Sequence, residues 1–104
     1  MVTGSRTDGH VYGEVNSLED LRSINRNIRS EIGKTADQEG LTELKRRSDY
    51  LCTLARSPAW RKKFGAKTDR YLEVAREENR RTVDKVNSTA RRHKFDTFYN
   101  PWGS

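Results

Sequence analysis

The sequence predicts a small all-α domain of three to four helices, with a flexible N-terminal arm (residues 1–15) and an aromatic C-terminal tail (95–104). Three observations predict this fold class. Apolar residues recur every three or four positions, capping residues stand at both ends of these segments, and no segment shows the alternation of a strand. The chain has 104 residues, enough for one domain, which we place at 16–94.

The chain is poor in large apolar residues. Leu, Ile, Val and Phe make up 19 of the 104 residues, about 18%, a proportion typical of disordered chains. However, the net charge of +6 is too small to keep a chain of this length expanded by self-repulsion. Because the apolar residues are also regularly spaced, we expect a small folded core with loose ends.

The first helix is predicted over about 17–32. Ser17 and Asp20 have the spacing of a capping box, in which each side chain accepts a hydrogen bond from a free amide of the first turn. Gly33 is expected to end the helix in a left-handed conformation. The apolar stripe of this helix consists of Leu21, Ile24, Ile28 and Ile32.

The second helix is predicted over about 41–55, and its start is ambiguous. Thr35 and Gln38 form a second possible capping box, but Gly40 interrupts the helical pattern, so the helix begins either at Thr35 or at about Leu41. Its apolar stripe consists of Leu41, Leu44, Ser48, Leu51 and Ala55.

A short third helix is predicted over 58–64. Ser57 followed by Pro58 is a common helix start, because the first turn does not need the amide that proline lacks. Trp60 and Phe64 lie one turn apart, which is typical of core anchors. Gly65 then ends the helix.

A long fourth helix is predicted over about 68–93. Its apolar stripe is thin, because Asn79, Thr82 and Thr89 interrupt it. The second half of this helix is therefore expected to project beyond the core or to pair with another chain. The tail that follows is expected to fold back and pack on the domain, and it carries four aromatic side chains: Phe95, Phe98, Tyr99 and Trp102.

No residue pattern indicates catalysis, a cofactor or a metal ion. The only His and Cys residues are His10, His93 and Cys52, and none has the spacing of a zinc site or of a nucleophile with its base. Cys52 lies in an apolar run and is expected to be a small buried hydrophobic residue. We therefore expect a non-enzymatic protein without a cofactor.

No segment of the sequence has the length and hydrophobicity of a membrane span, and the chain does not begin with an apolar leader. We therefore expect an intracellular, cytoplasmic protein that does not insert into membranes.

The charge is unevenly distributed along the chain. Residues 1–44 hold 5 basic and 8 acidic side chains, whereas residues 45–104 hold 16 and 7. The region 45–70 is the densest, and a basic region of this kind attracts nucleic acids and other polyanions without contacting bases. The predicted nucleic-acid-binding residues are Lys45, Arg46, Arg47, Arg56, Arg61, Lys62, Lys63, Lys67 and Arg70.

Two alternatives accompany this hypothesis. The basic side chains can simply keep a small domain in solution, as charged helix faces usually do. The protein can also be an adaptor or assembly factor that docks on a protein partner, or forms a homodimer, through helix 68–93 and the tail residues Phe98, Tyr99 and Trp102. The sequence does not distinguish DNA, RNA and an acidic protein as the polyanion.

Overall fold

The structure is a computed structural model that describes residues 15–102, and these residues form four α-helices. The helices are α1 (Leu18–Lys34), α2 (Gln38–Ala55), α3 (Pro58–Phe64) and α4 (Thr68–Arg92), and a 3-10 turn, Gly65–Lys67, precedes α4. The predicted all-α class with three to four helices is confirmed. Between residues 15 and 102 no helix has both the length and the hydrophobicity to cross a bilayer.

The predicted arm 1–15 lies outside the described residues except for its last position. Val15 is fully buried and packs in the core beside Leu21. The final two residues of the predicted tail, 103–104, also lie outside the described part of the chain.

The start of α1 is capped by two side chains. The hydroxyl oxygen of Ser17 accepts a hydrogen bond from the backbone N–H of Asp20 (3.1 Å), as predicted. The carboxylate of Asp20 accepts from the backbone N–H of Asn16 (2.8 Å), one residue before the N-cap. These bonds satisfy amides that have no partner within the helix.

The end of α1 differs from the prediction. The helix continues through Gly33 to Lys34, so the expectation that Gly33 ends it is wrong. Thr35 ends the helix instead, because it satisfies two of the last carbonyls. Its backbone N–H donates to the carbonyl of Ile32 (3.1 Å), and its hydroxyl donates to that of Glu31 (2.7 Å).

The start of α2 also differs from the prediction. The helix begins at Gln38, and neither Thr35 nor Leu41 marks its start. Asp37 is the N-cap, and its carboxylate accepts from the N–H of Gly40 (2.8 Å). A Cβ atom at position 40 would lie 2.7 Å from the Cγ2 atom of Thr35, so any larger residue here would force the side chain of Thr35 to shift.

The hydrophobic core consists of two clusters. The first joins the start of α1, the end of α2, α3 and the start of α4, whereas the second joins the end of α1, the start of α2 and the end of α4. α1 and α4 therefore run in the same direction and α2 runs opposite to both. The second cluster contains Ile28, Ile32, Leu41, Leu44, Val86 and Ala90.

A buried polar layer lies between the two clusters. The side-chain oxygen of Asn25 in α1 accepts hydrogen bonds from the hydroxyls of Ser48 in α2 (2.7 Å) and Thr82 in α4 (3.1 Å). The side-chain amide of Asn79 donates to the Ser48 hydroxyl (2.9 Å). These bonds connect the three long helices.

The prediction that the second half of α4 projects from the core is wrong. Asn79, Thr82 and Thr89, the residues that interrupt its apolar stripe, are all at most 2% exposed. Val83 and Val86 on the same face are fully buried. α4 therefore buries its stripe within the monomer.

The chain turns back on the domain after α4. Lys94 is left-handed (φ 63°), and the N–H of Phe95 donates to the carbonyl of Ala90 (2.8 Å), as in a Schellman motif. The side chain of Asn87 then holds both backbone groups of Phe98, accepting from its N–H (2.6 Å) and donating to its carbonyl (3.1 Å).

Candidate nucleic-acid interface

The longest stretch of the sequence without an acidic residue runs from the end of α2 through α3 to the start of α4. Asp49 and Asp69 bracket it, and it carries five basic side chains. We call these five the basic junction. The basic junction consists of Arg56, Arg61, Lys62, Lys63 and Lys67, and all five are exposed.

The fold of α3 directs the basic side chains outward. Ser57 caps the helix by accepting from the N–H of Trp60 (3.3 Å), and Pro58 occupies the first turn. Trp60 is 5% exposed, and the ring of Phe64 stacks on that of Tyr71 with 3.9 Å between centroids. Since Trp60 and Phe64 anchor one face of α3, the three basic residues between them point to its other sides.

Lys63 has a structural contact that its neighbours lack. Its ammonium donates to the backbone carbonyl of Val15 (2.7 Å) and lies 5.4 Å from the centroid of the Phe64 ring. Both partners are uncharged, and within residues 15–102 no acidic side chain forms an ion pair with Lys63.

The other predicted nucleic-acid-binding residues are ion-paired. On α2, Lys45 pairs with Asp49 (2.7 Å), and on α4, Arg70 pairs with Glu73 (2.7 Å). The remaining two share the carboxylate of Glu43, which lies 3.4 Å from the nearest nitrogen of Arg46 and 4.0 Å from that of Arg47. The nine predicted residues thus fall into five of the basic junction and four paired within their own helices.

The aromatic side chains of α3 pack on one another and on Tyr71. Trp60 makes edge-to-face contacts with Phe64 (5.2 Å) and Tyr71 (6.2 Å), and the rings of Phe64 and Tyr71 cover each other. A polyanion at this surface meets ammonium and guanidinium groups, which bind phosphates rather than base edges.

The three residues of the predicted docking tail are placed differently from one another. Phe98 packs against the second core cluster, and the indole N–H of Trp102 donates to the side-chain oxygen of Asn79 (2.8 Å). Tyr99 is 80% exposed. Two of the three aromatic rings are therefore engaged with the domain itself.

Cys52 is buried against α4. Its thiol donates to the carbonyl of Ala75 (3.4 Å), and burial raises its pKa from 9.0 to about 11, opposed in part by nearby Arg56. Across residues 15–102 no group of three or more His, Cys, Asp or Glu side chains is placed to hold a metal ion. His10 lies outside the described residues.

Cys52 is expected to react slowly with thiol reagents in the folded protein. A pKa raised by two units leaves about 100-fold less thiolate at pH 8 than an ordinary thiol, and the thiolate is the reacting form. Labelling with a chromogenic disulfide reagent should therefore be at least about 100-fold slower in buffer than in denaturant. Its rate should rise with pH until about pH 11. Equal rates in both solvents would contradict the buried placement.

A second basic surface lies between α1 and α4, and its residues are not among the predicted nucleic-acid-binding residues except for Arg70. Arg22, Arg26 and Arg29 recur at helical spacing on α1 and line a groove with Arg70 and Arg81 of α4. The α1 arginines recur at positions i, i+4 and i+7, and this pattern could have predicted a basic face on α1. A count of charges does not reveal it, because residues 1–44 hold more acidic than basic side chains.

Comparison with protein-family models, with curated proteins and with solved structures finds no match for this chain.

Proposed function

We propose that this protein binds nucleic acid through the basic junction, by contacts to phosphates that do not read base sequence. The observation that carries the proposal is the absence of any acidic residue among the 19 residues between Asp49 and Asp69, which hold five exposed basic side chains. Elsewhere on α2 and α4, carboxylates one turn away neutralise many of the basic groups.

The chemistry of such a surface favours polyanions. Lys and Arg side chains that displace the condensed counterions of a nucleic acid gain affinity from the release of those ions. A carboxylate that is already paired with a basic group lowers this gain. Binding of a phosphate then either breaks the ion pair or leaves the negative carboxylate close to the phosphate. The four ion-paired residues, Lys45, Arg46, Arg47 and Arg70, are therefore expected to contribute less than the basic junction.

The test compares two triple variants with the same net charge. Arg61→Gln/Lys62→Gln/Lys67→Gln removes three charges from the basic junction and leaves Lys63 on Val15. Lys34→Gln/Arg46→Gln/Arg80→Gln removes three exposed, ion-paired basic side chains from other helices. Both lower the net charge from +6 to +3.

Affinity for a labelled duplex is measured by fluorescence polarisation at low salt. We expect the junction variant to bind at least about tenfold more weakly than the unchanged protein, and the control to bind within about threefold of it, because only the first loses direct phosphate contacts. Equal losses in both variants would show that net charge alone drives association. No loss in either would reject the basic junction as the site.

A further inference from the structure

The groove between α1 and α4 has a volume of about 420 Å³ and is lined from both sides by arginine. Three arginines lie on one face of α1 and two on the facing side of α4, and three glutamates of α4 complete the lining. The arginines are Arg22, Arg26, Arg29, Arg70 and Arg81. The groove therefore carries a net positive charge of two.

A largely buried ion pair lies at one wall of the groove. Arg29 lies 3.0 Å from the carboxylate of Glu78, and both side chains are largely buried. The same guanidinium also donates to the Thr82 hydroxyl and to the Glu78 backbone carbonyl, each at 3.3 Å. Arg29 is thus held in place by protein groups, and its role is to position the neighbouring helices.

Three of the other arginines are available to a ligand, whereas Arg26 pairs with Glu19 (2.9 Å), which does not line the groove. Arg70 and Arg81 pair with Glu73 (2.7 Å) and Glu77 (3.5 Å) in exposed contacts that contribute little. A single phosphate gains little by breaking one such pair, but a ligand whose several phosphates bind several guanidinium groups at once offsets the loss of both pairs. Glu77 also retains Arg80 as a partner. Among the residues that the structure describes, Arg22 has no acidic partner, which leaves its guanidinium open to an added anion.

From these contacts we infer that the groove is a binding site for closely spaced phosphates, held by Arg22, Arg70 and Arg81. Guanidinium groups bind phosphate oxygens in pairs of parallel hydrogen bonds, and arginines on two facing helices match a ligand with several phosphates better than one with a single charge. The phosphates belong either to a free oligophosphate or to a nucleic-acid backbone.

The test uses inorganic triphosphate and isothermal titration calorimetry. We expect one triphosphate to bind per protein, and Arg22→Gln/Arg81→Gln to weaken binding at least about tenfold through the loss of charge-assisted hydrogen bonds. The matched control, Arg91→Gln/Arg92→Gln, removes two exposed charges at the far end of α4 and should bind within about twofold of the unchanged protein. Circular dichroism tests whether each variant is folded. If the double variant is unfolded, the single variant Arg22→Gln replaces it in the titration.

Absence of binding, or equal loss in the two double variants, would overturn the inference. Displacement of triphosphate by a DNA duplex would identify the nucleic-acid backbone as the source of the phosphates, with Arg70 linking the groove to the 45–70 region. If the triphosphate stays bound in the presence of DNA, the ligand of the groove is a free oligophosphate. The triphosphate titration does not depend on the proposed function, because it can succeed even if the basic junction binds no nucleic acid.

Discussion

Replacement of Trp60 by alanine is expected to lower the free energy of unfolding by about 3 to 5 kcal/mol. The side chain is 5% exposed and fills the space where α3 meets the first core cluster. Its edge-to-face contacts with Phe64 and Tyr71 add to the loss. In a domain of this size the melting temperature should fall by at least about 12 °C, measured by circular dichroism.

The matched control is Tyr99→Ala, which removes an aromatic ring that is 80% exposed. Its effect should stay within about 0.5 kcal/mol, because little buried surface is lost. If Trp60→Ala cost less than about 1 kcal/mol, the indole would not be a core anchor, and a role in stacking on bases would return.

The second large effect is expected for Asn79→Leu, which removes the link between the polar layer and the tail. Asn79 accepts from the indole N–H of Trp102 (2.8 Å) and donates to Ser48 and to the Asp49 carboxylate (2.9 Å each). Leucine has a similar size but no polar group, so three hydrogen bonds are lost and the buried Ser48 hydroxyl loses a donor. We expect a loss of about 3 kcal/mol in urea unfolding.

Asn27→Leu provides the control, since it makes the same substitution at an exposed position of α1. Its effect should be within about 0.5 kcal/mol. An Asn79→Leu protein as stable as the unchanged one would contradict this prediction, because it would mean that the Ser48 hydroxyl and the Trp102 indole N–H do not need Asn79 as a partner.

The helices could be predicted because their signals are local. Ser17, Ser57 and Pro58 act within one turn of their own position, and the apolar stripes follow the helical period. The boundary between α1 and α2 was harder, because Thr35 and Asp37 are both good caps. The Thr35 hydroxyl bonds to the Glu31 carbonyl at the end of α1, which leaves Asp37 to cap α2, and the sequence alone does not show which helix end Thr35 serves.

The polar layer could not be predicted from periodicity. Asn25, Ser48, Asn79 and Thr82 interrupt the apolar stripes when each helix is considered alone. Their burial is favourable only because they are hydrogen-bonded to one another across three helices, up to 57 positions apart in sequence. This layer also helps to explain how a chain with so few large apolar residues encloses a core.

The candidate site was predictable in part. The ion pairs that occupy Lys45, Arg46 and Arg70 span three or four positions and follow from helical spacing. The number of charges in residues 45–70 does not distinguish basic residues that are ion-paired from those that are not. The bond from Lys63 to Val15 joins residues 48 positions apart and required the tertiary structure.

The most direct measurement of the central claim is the affinity of the unchanged protein for two duplexes of unrelated sequence at several salt concentrations. Five phosphate contacts predict a slope of log Kobs against log salt of about −4.5, the same for both duplexes. A slope near zero, or affinities that differ by more than about tenfold between the duplexes, would contradict binding through phosphates at the basic junction.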